Sequence, residues 1–497
     1  MQSAGPASSL APVMPGSGRR RLILTLVVLT VAVSALVRFA GLDTFPGHVF
    51  DEHYYAHDAA ALLRGDLAPR GAESWRPGAA RSLAHPELAT LAIAGSIAAF
   101  GDGPWGWRLP AALAGTLLIA LVYPLARRLR LPPVWALAAT VLAAADTMLV
   151  VESRLAVLDI FVALGTAACV YCALRAVAPG DHFARWTLLC GLAAGAAVGS
   201  KWSGGLAVLA AFVVYGLAAR RLGGRRLTAA AGGILALAAV VYVAGYAGYF
   251  WSGHSVGDWL HLQRYMLGFN WDLRGTVSFA SRPATWPADV YPIWYKFAAT
   301  EHGTSGLIAI GNPLLWWAAL IALVVLGVQA ALRRDARLGL APLLVAVLYV
   351  PWLFTTRQAY IYYMAPVVPF LAILVAAALA RLARRRTACL PQAYGFGAAV
   401  LLAAGALSVA GLGEGVLGDA SGLWWRGAAL IIGACLAAAA VAAIVRARER
   451  RPATLAAAAW AYVGATAGLG LAWLPFLLGY PVLFEVYRRL TWFVTWK

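Results

Sequence analysis

Apolar runs of roughly 20 residues, the length that crosses a bilayer as a helix, alternate along this chain with short arginine-bearing segments. The pattern predicts about thirteen spans, at 22–40, 107–126, 133–150, 155–177, 186–200, 203–219, 228–250, 306–331, 338–355, 360–380, 395–412, 424–445 and 454–479. Two intervening segments are long, 41–106 and 251–305. In the first, Tyr55, Ala59, Leu62 and Leu63 fall at helical spacing, so a short helix is expected from Asp51, stopped by Gly65. A second short apolar helix, from about Glu87 to Phe100, is expected to lie along the membrane interface. The expected organisation is a disordered cytoplasmic N-terminus (1–21), a transmembrane body (22–479) and an outer C-terminal tail (480–497).

Composition agrees with that pattern. The 497 residues are 62% hydrophobic and 12% charged, against roughly 25% charged in a soluble domain, which makes this an all-α polytopic membrane protein. Arg19, Arg20 and Arg21 before an apolar run suggest a signal peptide. The run is long for one, however, and no small-residue cleavage site follows, so a retained first span is expected.

The net charge of +19 invites a nucleic-acid partner, but its placement excludes the need for one. With the N-terminus inside, Arg19–Arg21, Arg127, Arg128, Arg130, Arg175, Arg185 and the later groups near 220–226, 333–337, 381–386 and 446–451 all lie on the inner side. That is the positive-inside pattern, and it places both long segments outside. Cys169, Cys172, Cys190, Cys389 and Cys435 lie in or beside apolar runs, as small core residues do, in neither a disulfide nor a zinc spacing. The outer segment 251–305 is rich in tryptophan and tyrosine, which suits a membrane interface and equally a sugar or peptide groove.

Ionisable residues at the outer boundary carry the candidate chemistry. Asp51 and Glu52 open the first short helix, where the dipole favours ionised carboxylates; a helix cap is the competing account. Only three lysines occur among 40 basic residues, and Lys201 interrupts an apolar stretch, where a charge is costly unless paired or solvated. A lipid phosphate would pair with it, and a snorkelling lysine is the plainer account. Arg154, in Glu152-Ser153-Arg154, is placed to clamp a phosphate, with Asp159 orienting either cation, or else Arg154 and Asp159 form a structural ion pair. A sugar on a lipid phosphate carries its own leaving group, so its transfer needs a base, Asp51, and cations, Lys201 and Arg154. A single displacement would invert the anomeric centre.

These residues and their neighbours resemble the bacterial protein O-mannosyltransferases, of the GT-C class of polyprenyl-phosphate-sugar-dependent glycosyltransferases. The resemblance rests on Asp51-Glu52, His85-Pro86, Gly106-Trp107-Arg108-Leu109-Pro110, Glu152-Ser153-Arg154 with Leu158-Asp159, and Lys201-Trp202-Ser203-Gly204. It continues through Ala280-Ser281-Arg282-Pro283, Trp286-Pro287, Trp294-Tyr295, Gly311-Asn312-Pro313, the segment Tyr360 to Phe370 and Tyr487 to Phe493.

The resemblance implies Asp51 as catalytic base, Glu52 positioning acceptor or donor, Arg154 and Lys201 on the donor phosphate, and Asp159, His85 and Arg282 in support. It implies transfer of mannose from polyprenyl-phosphate mannose to Ser/Thr of exported polypeptides, at the outer face of a bacterial plasma membrane and with the secretion machinery as a possible partner. The chain departs from the family pattern at His85-Pro86-Glu87-Leu88-Ala89-Thr90, where His-Pro-Pro-Leu-Gly-Lys is usual. Related lipid A aminoarabinose transferases share the span plan and an outer Asp-Glu.

Transfer of another sugar to a glycolipid or cell-wall polymer is the alternative within the class, and a lipid transporter the alternative outside it. No cofactor is required. A divalent metal on Asp51, Glu52, His53 and His57 is possible but not expected.

Overall fold

A computed structural model describes residues 16–65, 84–180, 182–273, 277–299, 301, 303–383 and 452–496. The expected spans 395–412 and 424–445 lie outside the described residues, as does most of the expected N-terminal segment. That segment is helical from Gly16, because α1 (Gly16–Phe39) continues the first span backwards through its arginines.

Helices follow as α2 (Glu52–Leu63), α3 (Leu88–Phe100), α4 (Pro104–Arg128), α5 (Pro133–Ala144), α6 (Thr147–Glu152), α7 (Asp159–Ala176), α8 (Phe183–Ser200), α9 (Gly205–Leu217), α10 (Ala219–Leu222), α11 (Gly224–Ala244), α12 (Ala247–Trp251) and α13 (Val256–Asp272). A hairpin of β1 (Ile293–Ala299) and β2 (Gly303–Ala309) precedes α14 (Pro313–Arg333), α15 (Ala336–Tyr349), α16 (Val368–Leu382) and α17 (Pro452–Leu477). The chain ends in β3 (Val482–Leu483) and α18 (Phe484–Leu490).

Among the described residues, eight helices are long and apolar enough to cross a membrane. The expected spans at 133–150, 203–219 and 360–380 are instead the shorter apolar helices Pro133–Ala144, Trp202–Leu217 and Val368–Leu382. In the first case Asp146 caps a new helix, its carboxylate accepting from the Leu149 N–H at 3.0 Å, and this ends the run early. The span expected from 306 starts at Pro313, because residues 303–309 form β2. The outer segment is therefore not all-helical: β1, β2 and β3 make a three-stranded antiparallel sheet.

One apolar core joins α4, α5, α7, α14, α15 and α16, with alanines at many fully buried positions. Small residues let backbones approach, which is how spans associate without a hydrophobic drive between them. At Gly165 an added Cβ would stand 2.9 Å from the Ala197 Cβ, so α7 and α8 touch along their lengths there. Cys169 and Cys190 face each other across this contact at 3.6 Å as buried free thiols.

The short helices α2 and α3 pack together over a separate small core of Tyr55, Ala56, Ala59, Ile93 and Trp107. The C-terminal residues fold onto the sheet. Trp496 is fully buried, its indole N–H donates to the Asp289 carbonyl at 2.7 Å, and its own carbonyl accepts from the Trp294 indole at 3.2 Å.

Candidate active site

Asp51 and Glu52 are neighbours with opposite surroundings. Asp51 is the N-cap residue of α2, yet its side chain makes no capping bond, so the carboxylate is not consumed by the helix. Glu52 is fully buried. Its Oε1 accepts from Arg108 Nε and the Ala156 N–H, both at 2.8 Å, and its Oε2 from Arg108 Nη2 at 2.7 Å and the Val49 N–H at 2.9 Å. Arg108 spends its other donors on the carbonyls of Leu42, Phe45 and Gly47. With four donors on two oxygens, Glu52 has no bond left for a substrate. The expectation that it positions acceptor or donor gives way to a role in fixing the Asp51 loop onto α4 and the 153–158 turn.

Arg154 is likewise corrected. Its guanidinium donates to the carbonyls of Leu477 (3.0 Å), Val37 (2.7 Å), Arg38 (3.3 Å), Ala40 (2.6 Å) and Gly41 (3.0 Å), and the side chain is buried. A fork filled by five carbonyls cannot clamp a phosphate. It ties the end of α1 to the end of α17. Nor does it pair with Asp159, whose partner is Lys201.

Lys201 closes α8 with extended backbone, and Gly204 follows where the chain passes the Ala197 carbonyl so closely that a Cβ would meet it at 2.3 Å. The Lys201 ammonium lies 2.7 Å from Asp159 Oδ2, with both residues buried. The rings of Tyr362 and Tyr363 stand 5.2 and 4.6 Å from the same nitrogen. Burial works against the ammonium charge, but Asp159 and the neighbouring Tyr363 outweigh it and hold the lysine pKa above its ordinary value. Two of the three ammonium donors remain free of Asp159.

Asp51 and this pair feel each other's charge. Burial raises its pKa to about 7, with Lys201 opposing and Asp159 adding to the rise. The group therefore changes charge near neutrality, as a general base does.

Glu152, Tyr295 and Arg357 also belong to the site, although the sequence reading gave none of them a role. Glu152, at the end of α6, is buried and accepts a hydrogen bond from the Tyr295 hydroxyl. Tyr295 is the extra residue of a bulge in β1, between Trp294 and Lys296, and bulges re-aim side chains. Its ring stacks on Phe50 at 4.2 Å and 20°. Phe50 itself holds a left-handed φ of 53° immediately before Asp51. Arg357 donates to Asn270 Oδ1 at 2.6 Å and to the Tyr363 hydroxyl at 3.1 Å, so Tyr363 joins Arg357 to Lys201.

His85 sits half-buried beside Tyr55, with ring centroids 6.1 Å apart. Burial first, then Lys201 and Arg357, push its pKa well below the ordinary histidine value, so the ring is neutral. Arg282 opens the 3₁₀ turn Pro283–Ala288. Among the described residues its side chain makes no hydrogen bond or ion pair with Asp51, Lys201 or Asp159. No three His, Cys, Asp or Glu side chains converge to hold a metal among the described residues; Glu52 is turned to Arg108, and His57 lies 3.6 Å from Asp58.

Residues 84–246 match the family model described as dolichyl-phosphate-mannose-protein mannosyltransferase. Residues 255–410 match the C-terminal four-TMM region of protein-O-mannosyltransferase. The polyprenol-phosphate-mannose–protein mannosyltransferase of Corynebacterium glutamicum is 28% identical over 432 residues, 71% of this chain and 82% of that protein. Its namesake from Mycobacterium tuberculosis is 28% identical over 438 residues, covering 74% and 83%.

In fold, the chain is similar to the S. cerevisiae protein O-mannosyltransferase Pmt1-Pmt2 complex bound to the sugar donor, with a TM-score of 0.69, 12% identity and coverage of 98% and 93%. It is also similar to ArnT from Cupriavidus metallidurans bound to undecaprenyl phosphate, with a TM-score of 0.52, 21% identity and coverage of 94% and 77%.

Proposed function

Because the chain belongs to the protein O-mannosyltransferase family, we propose that it is a membrane-embedded inverting glycosyltransferase of the GT-C fold. It moves mannose from polyprenyl-phosphate mannose to Ser or Thr hydroxyls of exported polypeptides. The observation that carries this reading is the uncapped Asp51 carboxylate, whose charge is coupled to the buried Lys201–Asp159 pair.

In the proposed reaction the acceptor hydroxyl gives its proton to Asp51 as its oxygen attacks the anomeric carbon. The bond from that carbon to the phosphate oxygen breaks, the electron pair leaves with the phosphate, and the sugar configuration inverts. Lys201, with its two remaining donors, and Arg357 stabilise the departing charge, in place of Arg154. Such preorganised charges act most strongly where water is excluded. Neutral His85 offers a hydrogen bond rather than a charge. Glu52 and Arg108 hold the base-bearing loop.

The chain is a multi-pass membrane protein. The arginine distribution supports placing the N-terminus in the cytoplasm and the site on the outer face of the plasma membrane, where polypeptides leaving the secretion machinery would be met.

The test is transfer of labelled mannose from polyprenyl-phosphate mannose to a Ser/Thr-rich peptide by reconstituted protein, wild type against Asp51→Asn. Transfer that falls by about 10²-fold or more in the variant is expected. Undiminished transfer by Asp51→Asn removes the base. Transfer only to glycolipid or polymer acceptors overturns the polypeptide assignment.

A further inference from the structure

Helix α13 has three faces. At about 100° per residue, Val256, Leu260, Leu267 and Trp271 fall within one arc of roughly 60°, and all four are exposed, Trp271 at 69%. His261 and Arg264 lie on the next arc, also exposed. The third arc carries Trp259, Leu262, Gln263, Met266 and Asn270, turned onto the protein, where Leu262 and Met266 pack on Tyr246 and Tyr249.

The exposed apolar arc follows directly on α11, whose Leu235, Val240 and Val243 are exposed in a membrane span, and on Trp251, which is 88% exposed. An apolar arc flanked by cationic and aromatic residues, continuous in chain with a lipid-facing span, matches the acyl-headgroup boundary of a bilayer.

The inner arc reaches the site at two places. Gln263 accepts from the Tyr242 hydroxyl at 2.5 Å, and Tyr242 accepts from the Trp202 indole at 2.9 Å, beside Lys201. Asn270 accepts from Arg357 at 2.6 Å and donates to the Ala84 carbonyl at 3.2 Å, beside His85.

We propose that α13 is a lipid-seated brace: its apolar arc lies in the leaflet on the side of the site, and its inner arc sets Lys201, Arg357 and His85 at the depth where a lipid phosphate arrives. The second half of this statement rests on the proposed function; the first does not. Loops with free ends would let the cations drift relative to the headgroup plane. A helix wedged between the leaflet and both loops fixes them to that plane.

Two measurements test it. Leu267→Cys and His261→Cys, each labelled with bimane, are placed in liposomes containing phosphatidylglycerol and an acyl-chain nitroxide lipid, with the labelled unsubstituted protein as blank. At least about twofold stronger quenching at position 267 than at 261 is expected if the arc is buried. Equal quenching, or none at 267, overturns the lipid seat, as it would if a protein partner covered this face.

The second measurement is binding of polyprenyl phosphate to the unsubstituted protein, to Leu260→Gln/Leu267→Gln and to Asn270→Ala. Each variant is expected to bind about tenfold more weakly while keeping its melting temperature. A stable Asn270→Ala that binds as tightly as the unsubstituted protein overturns the brace, whatever becomes of the double variant. No binding by the unsubstituted protein sinks the functional reading, and the brace with it, while the quenching result still decides the lipid seat.

Discussion

Lys201 and Asp159 come from different helices, 42 residues apart, and meet at 2.7 Å out of contact with water. A buried pair of this kind does little for net stability, but breaking it on one side leaves an uncompensated charge, at a cost of about 3–5 kcal/mol. Asp159→Asn is therefore expected to destabilise more than the double change Asp159→Leu/Lys201→Met, and both to abolish transfer. Melting curves in one detergent distinguish the two cases. A double variant less stable than the single would mean that the pair is itself a net source of stability.

Asp51 gives a pH signature. As a base it must be ionised, so kcat/KM is expected to rise with pH through about 7 and then level off. Stability runs the other way. The carboxyl pKa is raised in the folded protein, so between about 4 and 7 the folded state holds a proton that the unfolded state has lost, and stability falls as pH rises through that window. Asp51→Asn is expected to remove that slope, melting at or above the wild type at pH 8 while transfer collapses. A wild-type rate that is flat from pH 5 to 9 would rule out Asp51 as the titrating base.

Arg154 has a structural fate. Its five carbonyl partners need a planar fork, and Lys cannot reproduce one. Arg154→Lys is expected to cost about 2–4 kcal/mol and to lower expression. In the fraction that folds, the donor KM should stay within about twofold of the wild type. A stable Arg154→Lys with a KM raised tenfold would restore the arginine to the phosphate site.

Tyr295 joins the sheet to the Asp51 loop through its stack on Phe50 and its bond to Glu152. Tyr295→Phe keeps the stack and loses the bond, while Tyr295→Leu loses both. The expected order is a loss in kcat of a few-fold for Phe and about 10- to 100-fold for Leu, with the donor KM little changed in each. Equal losses would show that the ring does not position Asp51.

The membrane architecture was legible because apolar run length and arginine placement follow directly from bilayer physics. The Lys201–Asp159 pair was legible for a related reason: a charge in an apolar stretch is costly and implies a partner. The same signal misled at Arg154, because a lone arginine beside apolar residues looks the same whether it meets phosphate or backbone carbonyls. Glu52 was read as functional from its place in the helix's first turn and from the family's Asp-Glu motif, although one residue of helical phase separates an uncapped carboxylate from one held by four donors. The β1–β2 hairpin was hidden inside what read as an aromatic interfacial loop, and with it Tyr295. Arg357 had no signal of its own, since its placement depends on Asn270 and Tyr363, which lie 87 residues before it and six after it.

The tie between Trp496 and Asp289 spans 207 residues of chain. At a synthesis rate of about 5–20 residues per second, Asp289 would wait roughly 10 to 40 s for its partner to emerge. Throughout that interval the hairpin that bears Tyr295 lacks one of its fastenings while the last spans are still entering the bilayer. Assembly of the enzyme therefore runs in an order that leaves the hairpin beside Asp51 without this fastening until residue 496 has emerged.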